Sequence, residues 1–125
     1  MTPVSSSLPT TSVKVETPDG TLFVHIAEEN GRAREVLLNI GKSGYSLAAW
    51  SDALARMVSL ALKHGIAMQD IVVELSNIHT DRVRRSNGVA IHSGPDGLAV
   101  ALMRYLATKA KRGTDDDYRP ATLES

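Results

Sequence analysis

The residues best suited to a chemical role lie together in the short segment "GKSGYS". Two glycines, Gly41 and Gly44, flank Lys42 and Ser43, and Ser46 follows where an apolar period of 3.6 residues begins. Glycines let backbone N–H groups converge, a lysine supplies positive charge, and a helix N-terminus attracts anions. The segment is therefore a candidate phosphate site. The alternative is a strand-to-helix turn capped by Ser46.

A Walker A phosphate loop does not fit this segment. The pattern G-x-x-x-x-G-K-[ST] requires a glycine where Val36 stands, and Gly44 separates Ser43 from the helix that this serine would open. We therefore set the Walker A interpretation aside. An anion-binding turn and a turn without a ligand both remain open.

A group of arginines forms the second candidate. Arg82, Arg84 and Arg85 lie close together in a polar connection that also contains Asp81. A guanidinium group pairs with phosphate through two parallel hydrogen bonds, so these side chains could close over a phosphate held at Lys42. A solvated loop with an internal Asp–Arg pair is the alternative interpretation.

Thiol and metal chemistry have little support in the sequence. There is no cysteine, and the 4 histidines show no metal-binding spacing. No nucleophile and base are paired by spacing, although distant residues can meet in a fold. The sequence thus predicts no catalytic residues, no metal site and no cofactor.

Composition narrows the function further. The chain has 125 residues, 42% of them hydrophobic, and 14 Lys plus Arg balance 14 Asp plus Glu. A balanced charge argues against general nucleic-acid binding, which needs a broad basic face. No apolar run reaches the roughly 18 residues of a membrane span, and no signal peptide is visible, so we expect a cytoplasmic protein. The core of so short a chain is thin, which favours a homo-oligomer.

The hydrophobic pattern predicts an α+β fold. An N-terminal antiparallel β-ribbon of two to three strands packs on a long helix, and two shorter helices follow. We expect a flexible leader at 1–11, a single domain at 12–112 and a flexible tail at 113–125. The long helix is predicted over 46–64, with an inward-facing apolar stripe formed by Leu47, Trp50, Leu54, Met57 and Ala61.

The two shorter helices are predicted over 68–78 and 93–112. In the first, Ile71, Val72, Leu75 and Ile78 should face inward. In the second, Ser93 is placed as the N-cap and Asp96 follows three residues later, which is typical of a capping box with an acid in the first turn. A short strand is expected at "VAIH" between them.

Three segments carry a family resemblance: "TPDGTLFVHI", "VLLNIGKSGYSLAAWSDALARMVSLALKHGI" and "SGPDGLAVAL". Together they resemble the TSCPD domain over roughly residues 17–107. That domain occurs at the C-terminal end of cobalamin-dependent ribonucleotide reductases and in small stand-alone proteins. The Thr-Ser-Cys-Pro-Asp motif of the family falls on 92–96, where Ser93, Pro95 and Asp96 match and Gly94 replaces the cysteine.

The resemblance implies an accessory module without the radical chemistry of the reductase. A second cysteine that members carry near His79 or Thr80 is also missing, so no thiol role is transferred to this chain. From the residues and the resemblance together, we expect a non-catalytic module that binds or sequesters a small phosphate-bearing ligand, with a nucleotide as the expected ligand. A phage origin would fit such a protein. The alternative is a protein-interaction module of a ribonucleotide reductase or another nucleotide enzyme, without a ligand of its own.

Overall fold

The computed structural model of the protein describes residues 8–41 and 45–116, apart from the side chains of 45, 46 and 112–116. It confirms the α+β class and the N-terminal ribbon, which has three strands. The elements in chain order are β1 (Thr10–Thr17), β2 (Gly20–Glu29), β3 (Arg32–Ile40), α1 (Tyr45–Lys63), α2 (Met68–Leu75), β4 (Arg84–Ser86), β5 (Val89–Ile91) and α3 (Gly94–Asp116).

The three long strands form an antiparallel sheet in the order β1-β2-β3. Asn30 and Gly31 join β2 to β3 with φ angles of 56° and 77°, the two positive values that a tight type I′ hairpin turn requires. Leu22, Val24 and Ile26 alternate along β2 and are all buried, because successive side chains of a strand point to opposite faces. The sheet thus has one apolar face for the helices.

Helix α1 is tied to the outer strand of the sheet by a serine. The Val36 N–H group donates to Ser59 Oγ (2.9 Å), and the Ser59 hydroxyl donates back to the Val36 carbonyl (3.2 Å). Ser59 is 2% exposed. A helix side chain therefore satisfies backbone groups that an edge strand would otherwise leave unpaired.

The inward stripe predicted for α1 is wrong at two of its five positions. Trp50 is 74% exposed and Met57 is 63% exposed, whereas Ser51, Ala55, Val58 and Ser59 are buried. The apolar residues of α1 nearly encircle it, so their period could not select the buried face. The hydrogen bonds of Ser59 to β3 fix the buried face, and hydropathy counts serine as polar.

Smaller differences concern the ends of elements. Helix α2 stops at Leu75, and Ile78, predicted to face inward, is 42% exposed. Strand β4 pairs with the expected short strand β5 through a turn at Asn87, in a stretch expected to be only a connection. Strand β1 begins at Thr10, inside the expected leader, and α3 continues past Gly113 to Asp116.

Helix α3 lies against β1 and β2 at very short range. Leu98 and Leu102 are fully buried, and a Cβ atom added at Gly97 would lie 2.6 Å from Thr17 Cγ2 and 3.4 Å from Ile91 Cγ2. Gly97 therefore sets the distance between α3 and the sheet.

None of the helices in the described part of the chain combines the length and the hydrophobicity that a membrane span requires.

We expect Gly97→Ala to lower the free energy of unfolding by about 1–3 kcal/mol, the usual cost of overpacking. Replacing glycine with alanine in a helix interior normally raises stability by about 1 kcal/mol, so the expected change has the opposite sign. Thr17→Ser removes the methyl group in the way and keeps the hydroxyl, so Gly97→Ala should cost less in that background. Urea unfolding of the four variants in this double-mutant cycle measures the difference. Equal costs in both backgrounds would contradict the proposed clash.

Candidate functional site

The turn between β1 and β2 holds the start of α3. Thr17 Oγ1 donates to the Gly20 carbonyl (2.7 Å) and accepts from the Asp19 N–H group (3.0 Å). The Gly94 N–H group donates to Asp19 Oδ2 (2.7 Å). The first turn of a helix has N–H groups that find no partner within the helix. One of them, that of Gly94, is satisfied here by Asp19, 75 positions earlier in the chain.

Asp96 joins three segments at the same place. Its carboxylate accepts the Asn77 N–H group on Oδ1 (2.8 Å) and the His92 N–H group on Oδ2 (2.9 Å). Its own N–H group donates to Ser93 Oγ (3.0 Å), which confirms Ser93 as the cap of α3. Because Asp96 is 6% exposed and both carboxylate oxygens accept backbone N–H groups, its role lies in the fold.

An apolar groove opens beside this junction, between α1 and the ends of α2 and α3. We call it the α1 groove, and its volume is about 260 Å³. Its lining comprises Asp19 from the β1–β2 turn, sheet residues Leu22, Leu38 and Ile40, α1 residues Leu47, Trp50, Ser51 and Leu54, and residues Leu75, Ile78, Gly94 and Pro95 from the α2–α3 side.

Two polar side chains in the lining of the α1 groove, those of Asp19 and Ser51, have hydrogen-bond partners within the protein. Asp19 Oδ2 accepts the Gly94 N–H group, and the Ser51 hydroxyl donates to the Ala48 carbonyl (2.9 Å). The rest of the lining is aliphatic, with Trp50 at the edge and largely exposed. A surface of this kind favours apolar side chains over a charged small molecule, because it gains free energy by removing apolar area from water.

Part of the predicted phosphate site lies outside the described residues: Lys42, Ser43, Gly44 and the side chain of Ser46. The Gly41 N–H group donates to the Thr21 carbonyl (2.9 Å), and α1 begins at Tyr45. Ile40 and Leu47, which precede and follow the segment, both line the α1 groove. The chain therefore enters and leaves the candidate phosphate turn at the groove.

The predicted arginine group lies at the other edge of the sheet, beside β1. Arg84 Nη2 is 3.3 Å from Glu16 Oε1, and Arg85 Nη1 donates to the Gly88 carbonyl (2.8 Å). Arg82 is exposed. In the sheet order, β1 and β2 separate this group from β3 and Gly41, so the structure does not bring the arginines next to the described end of the phosphate turn.

A further charged cluster lies at the far end of β2. The Tyr105 hydroxyl donates to the carboxylate of Glu28, and Lys109 Nζ is 3.2 Å from Glu28 Oε2. Glu28 is 8% exposed, and these contacts compensate its burial. Among the side chains that the structure describes, at 8–41 and 47–111, no group of three or more His, Asp or Glu residues is placed to hold a metal ion.

Comparison with known families agrees with the resemblance in the sequence. The family model of the TSCPD domain matches residues 3–106. The chain belongs to the TSCPD domain family. No curated protein and no solved structure gives a significant match. Gly94, which stands where the TSCPD motif has its cysteine, lines the α1 groove, so the altered motif position faces this surface.

Sequence reasoning did not find the α1 groove. It placed Trp50 in the core and Leu38 in an ordinary strand, and it named no residue of the groove as a site. One signal was present: α1 has more apolar residues than a single buried face requires, which is typical of a helix that is covered on two sides. The period of the apolar residues alone could not show which side is open.

We expect Asp96→Ala to lower the free energy of unfolding by about 2–5 kcal/mol, because two backbone N–H groups lose a charged acceptor worth about 1.5–3 kcal/mol each. Asp70→Ala, at an exposed acid in the first turn of α2, is the matched control and should cost less than about 1 kcal/mol, the usual contribution of the helix dipole. Chemical denaturation of both variants tests this. Similar small effects in the two variants would contradict the structural role of Asp96.

Proposed function

We propose that this TSCPD domain is a non-catalytic accessory module that docks on a partner protein through the α1 groove. The single observation that carries the proposal is the groove itself. Its lining is mainly aliphatic, the Asp19 carboxylate and the Ser51 hydroxyl in it are bonded internally, and Trp50 stands exposed at its edge. Exposed aromatic residues beside apolar grooves are common anchors of protein interfaces.

The family association points to the kind of partner. TSCPD domains are associated with ribonucleotide reductases, so a ribonucleotide reductase, or another enzyme of nucleotide metabolism, is the proposed partner. A volume of about 260 Å³ suits one or two apolar side chains from a helix or strand of that enzyme. Docking of this kind needs no nucleophile, metal or cofactor in this chain.

Charge placed in the α1 groove should weaken docking. Ile78→Glu introduces a carboxylate at a groove position that is 42% exposed, and Val73→Glu does the same on α2 at a position that is 69% exposed and outside the groove. We expect Ile78→Glu to weaken binding to the purified reductase of the encoding organism at least about tenfold, which corresponds to about 1.4 kcal/mol. Val73→Glu should bind like the parent. Calorimetric titration measures both, and equal affinities would contradict docking in the groove.

A small phosphate-bearing ligand, with a nucleotide as the first candidate, remains the second proposed function. Its support is local: the chain between Ile40 and Leu47 contains Lys42 between two glycines, and it begins and ends at the groove. The first turn of α1 contains no acidic residue to repel an anion. In this arrangement the turn would hold the phosphate and a base would stack on Trp50.

Lys42→Ala separates the two functions. If the turn binds phosphate, the variant should bind a nucleotide more weakly by about 1–3 kcal/mol, the range of a charged hydrogen bond. Titration against mononucleotides, dinucleotides and cyclic nucleotides, at low and high salt, measures this. Docking on the reductase should be unchanged by Lys42→Ala. A panel in which nothing binds below millimolar concentration would rule out the nucleotide and leave the docking proposal standing.

A further inference from the structure

Helix α1 has a second apolar surface that does not belong to the core. Trp50, Met57 and Leu60 are 74%, 63% and 49% exposed, and Ala49 and Ala53 are exposed beside them. These five residues follow the helical period and form one stripe, which we call the outer α1 face. The opposite side of α1 packs on β3 through Ala55, Val58 and Ser59. A helix that is apolar on both sides is normally covered on both sides.

The chemistry of the outer α1 face is symmetric about its middle, at Ala53 and Leu54. Trp50 lies as far before this point as Met57 lies after it, and Ala49 and Leu60 lie farther out on the two sides. Asp52 and Arg56 flank the stripe at equal distances from Leu54. A surface with this symmetry is complementary to a copy of itself turned through 180°, which is the requirement of a two-fold interface.

We infer that the outer α1 face binds a second copy of this chain, with the two α1 helices antiparallel. Trp50 packs against Met57 of the second copy, and the thioether contacts the aromatic ring. Leu60 extends toward Ala49 of the second copy. Ala53 lies at the two-fold axis, where a small side chain allows the helices to approach to the 8–10 Å of ordinary helix packing. The inference goes beyond the proposed docking in the α1 groove, and the two surfaces share Trp50.

The charges on the flank of the stripe support this partner. Asp52 and Arg56 form an ion pair within one helix (3.2 Å), and their side chains are 60% and 67% exposed. In an antiparallel pair, the same flank of each helix meets its counterpart. Asp52 then faces Arg56 of the second copy, and Arg56 faces Asp52 of the second copy. The dimer therefore brings together two opposite-charge pairs and no like-charge pair at this flank.

A charge-exchange experiment tests this arrangement. Asp52→Arg places like charges opposite each other across the proposed dimer, and so does Arg56→Asp. Each variant alone should therefore dimerise about tenfold more weakly than the parent in sedimentation equilibrium. Mixed together, one variant supplies two positive charges and the other two negative charges, so a heterodimer should form with about the parent affinity. Both variants lose the ion pair inside α1, and mixing does not restore it, so weakened helices alone cannot explain a recovery.

A second comparison tests the apolar part of the interface. Met57→Glu should abolish dimerisation without loss of stability, because the side chain is 63% exposed in the protomer. Met103→Glu on α3, at a position that is 54% exposed, is the matched control and should dimerise like the parent. A parent protein that is monomeric at tens of micromolar, a Met57→Glu variant that still dimerises, or a charge-exchange mixture no stronger than its components would overturn the inference. The Met57→Glu monomer should still bind the reductase, which separates this result from the docking proposal.

Discussion

The buried carboxylate of Asp96 is the contact on which the arrangement of α2, β5 and α3 depends. It accepts N–H groups from Asn77, just after α2, and from His92, just after β5, while it lies in the first turn of α3. A carboxylate in this position also stabilises the N-terminus of a helix through the helix dipole. With Asp19 bound to Gly94, the same corner connects α3 to the β1–β2 turn. Two aspartates, Asp19 and Asp96, therefore hold together the β1–β2 turn, the end of α2, the end of β5 and the start of α3.

The elements that were predictable from sequence are those whose signals are local. The Asn30–Gly31 turn, the alternation along β2 and the capping by Ser93 depend on neighbouring residues, and the structure confirms all three. The β4–β5 hairpin carried the same Asn-Gly signal at Asn87 and could have been found. The start of β1 and the end of α3 were misplaced by a few residues, as expected where composition changes gradually.

What could not be predicted depends on contacts between residues far apart in the chain. Ser59 is buried because it bonds to Val36, 23 positions earlier. The spacing of apolar residues along α1 does not reveal this contact between a helix and a strand. The same contact turns Trp50 and Met57 outward, so one missed hydrogen-bonding pair accounts for the two wrong positions of the predicted stripe. The α1 groove was invisible for a related reason, since its lining comes from five separate elements and the turns between them.

The α1 groove follows from where the two long helices are held. Ser59 fixes α1 to the outer edge at β3, and the close contact of Gly97 with Thr17 fixes α3 over β1. Between them, the ends of β2 and β3 remain covered only in part, and Leu38 and Ile40 form the floor of the gap. To close it, α1 would have to leave the edge of β3, which would leave Val36 backbone groups unpaired at a cost of about 1–3 kcal/mol each. The opening beside Trp50 is therefore built into the hydrogen bonding of the sheet edge.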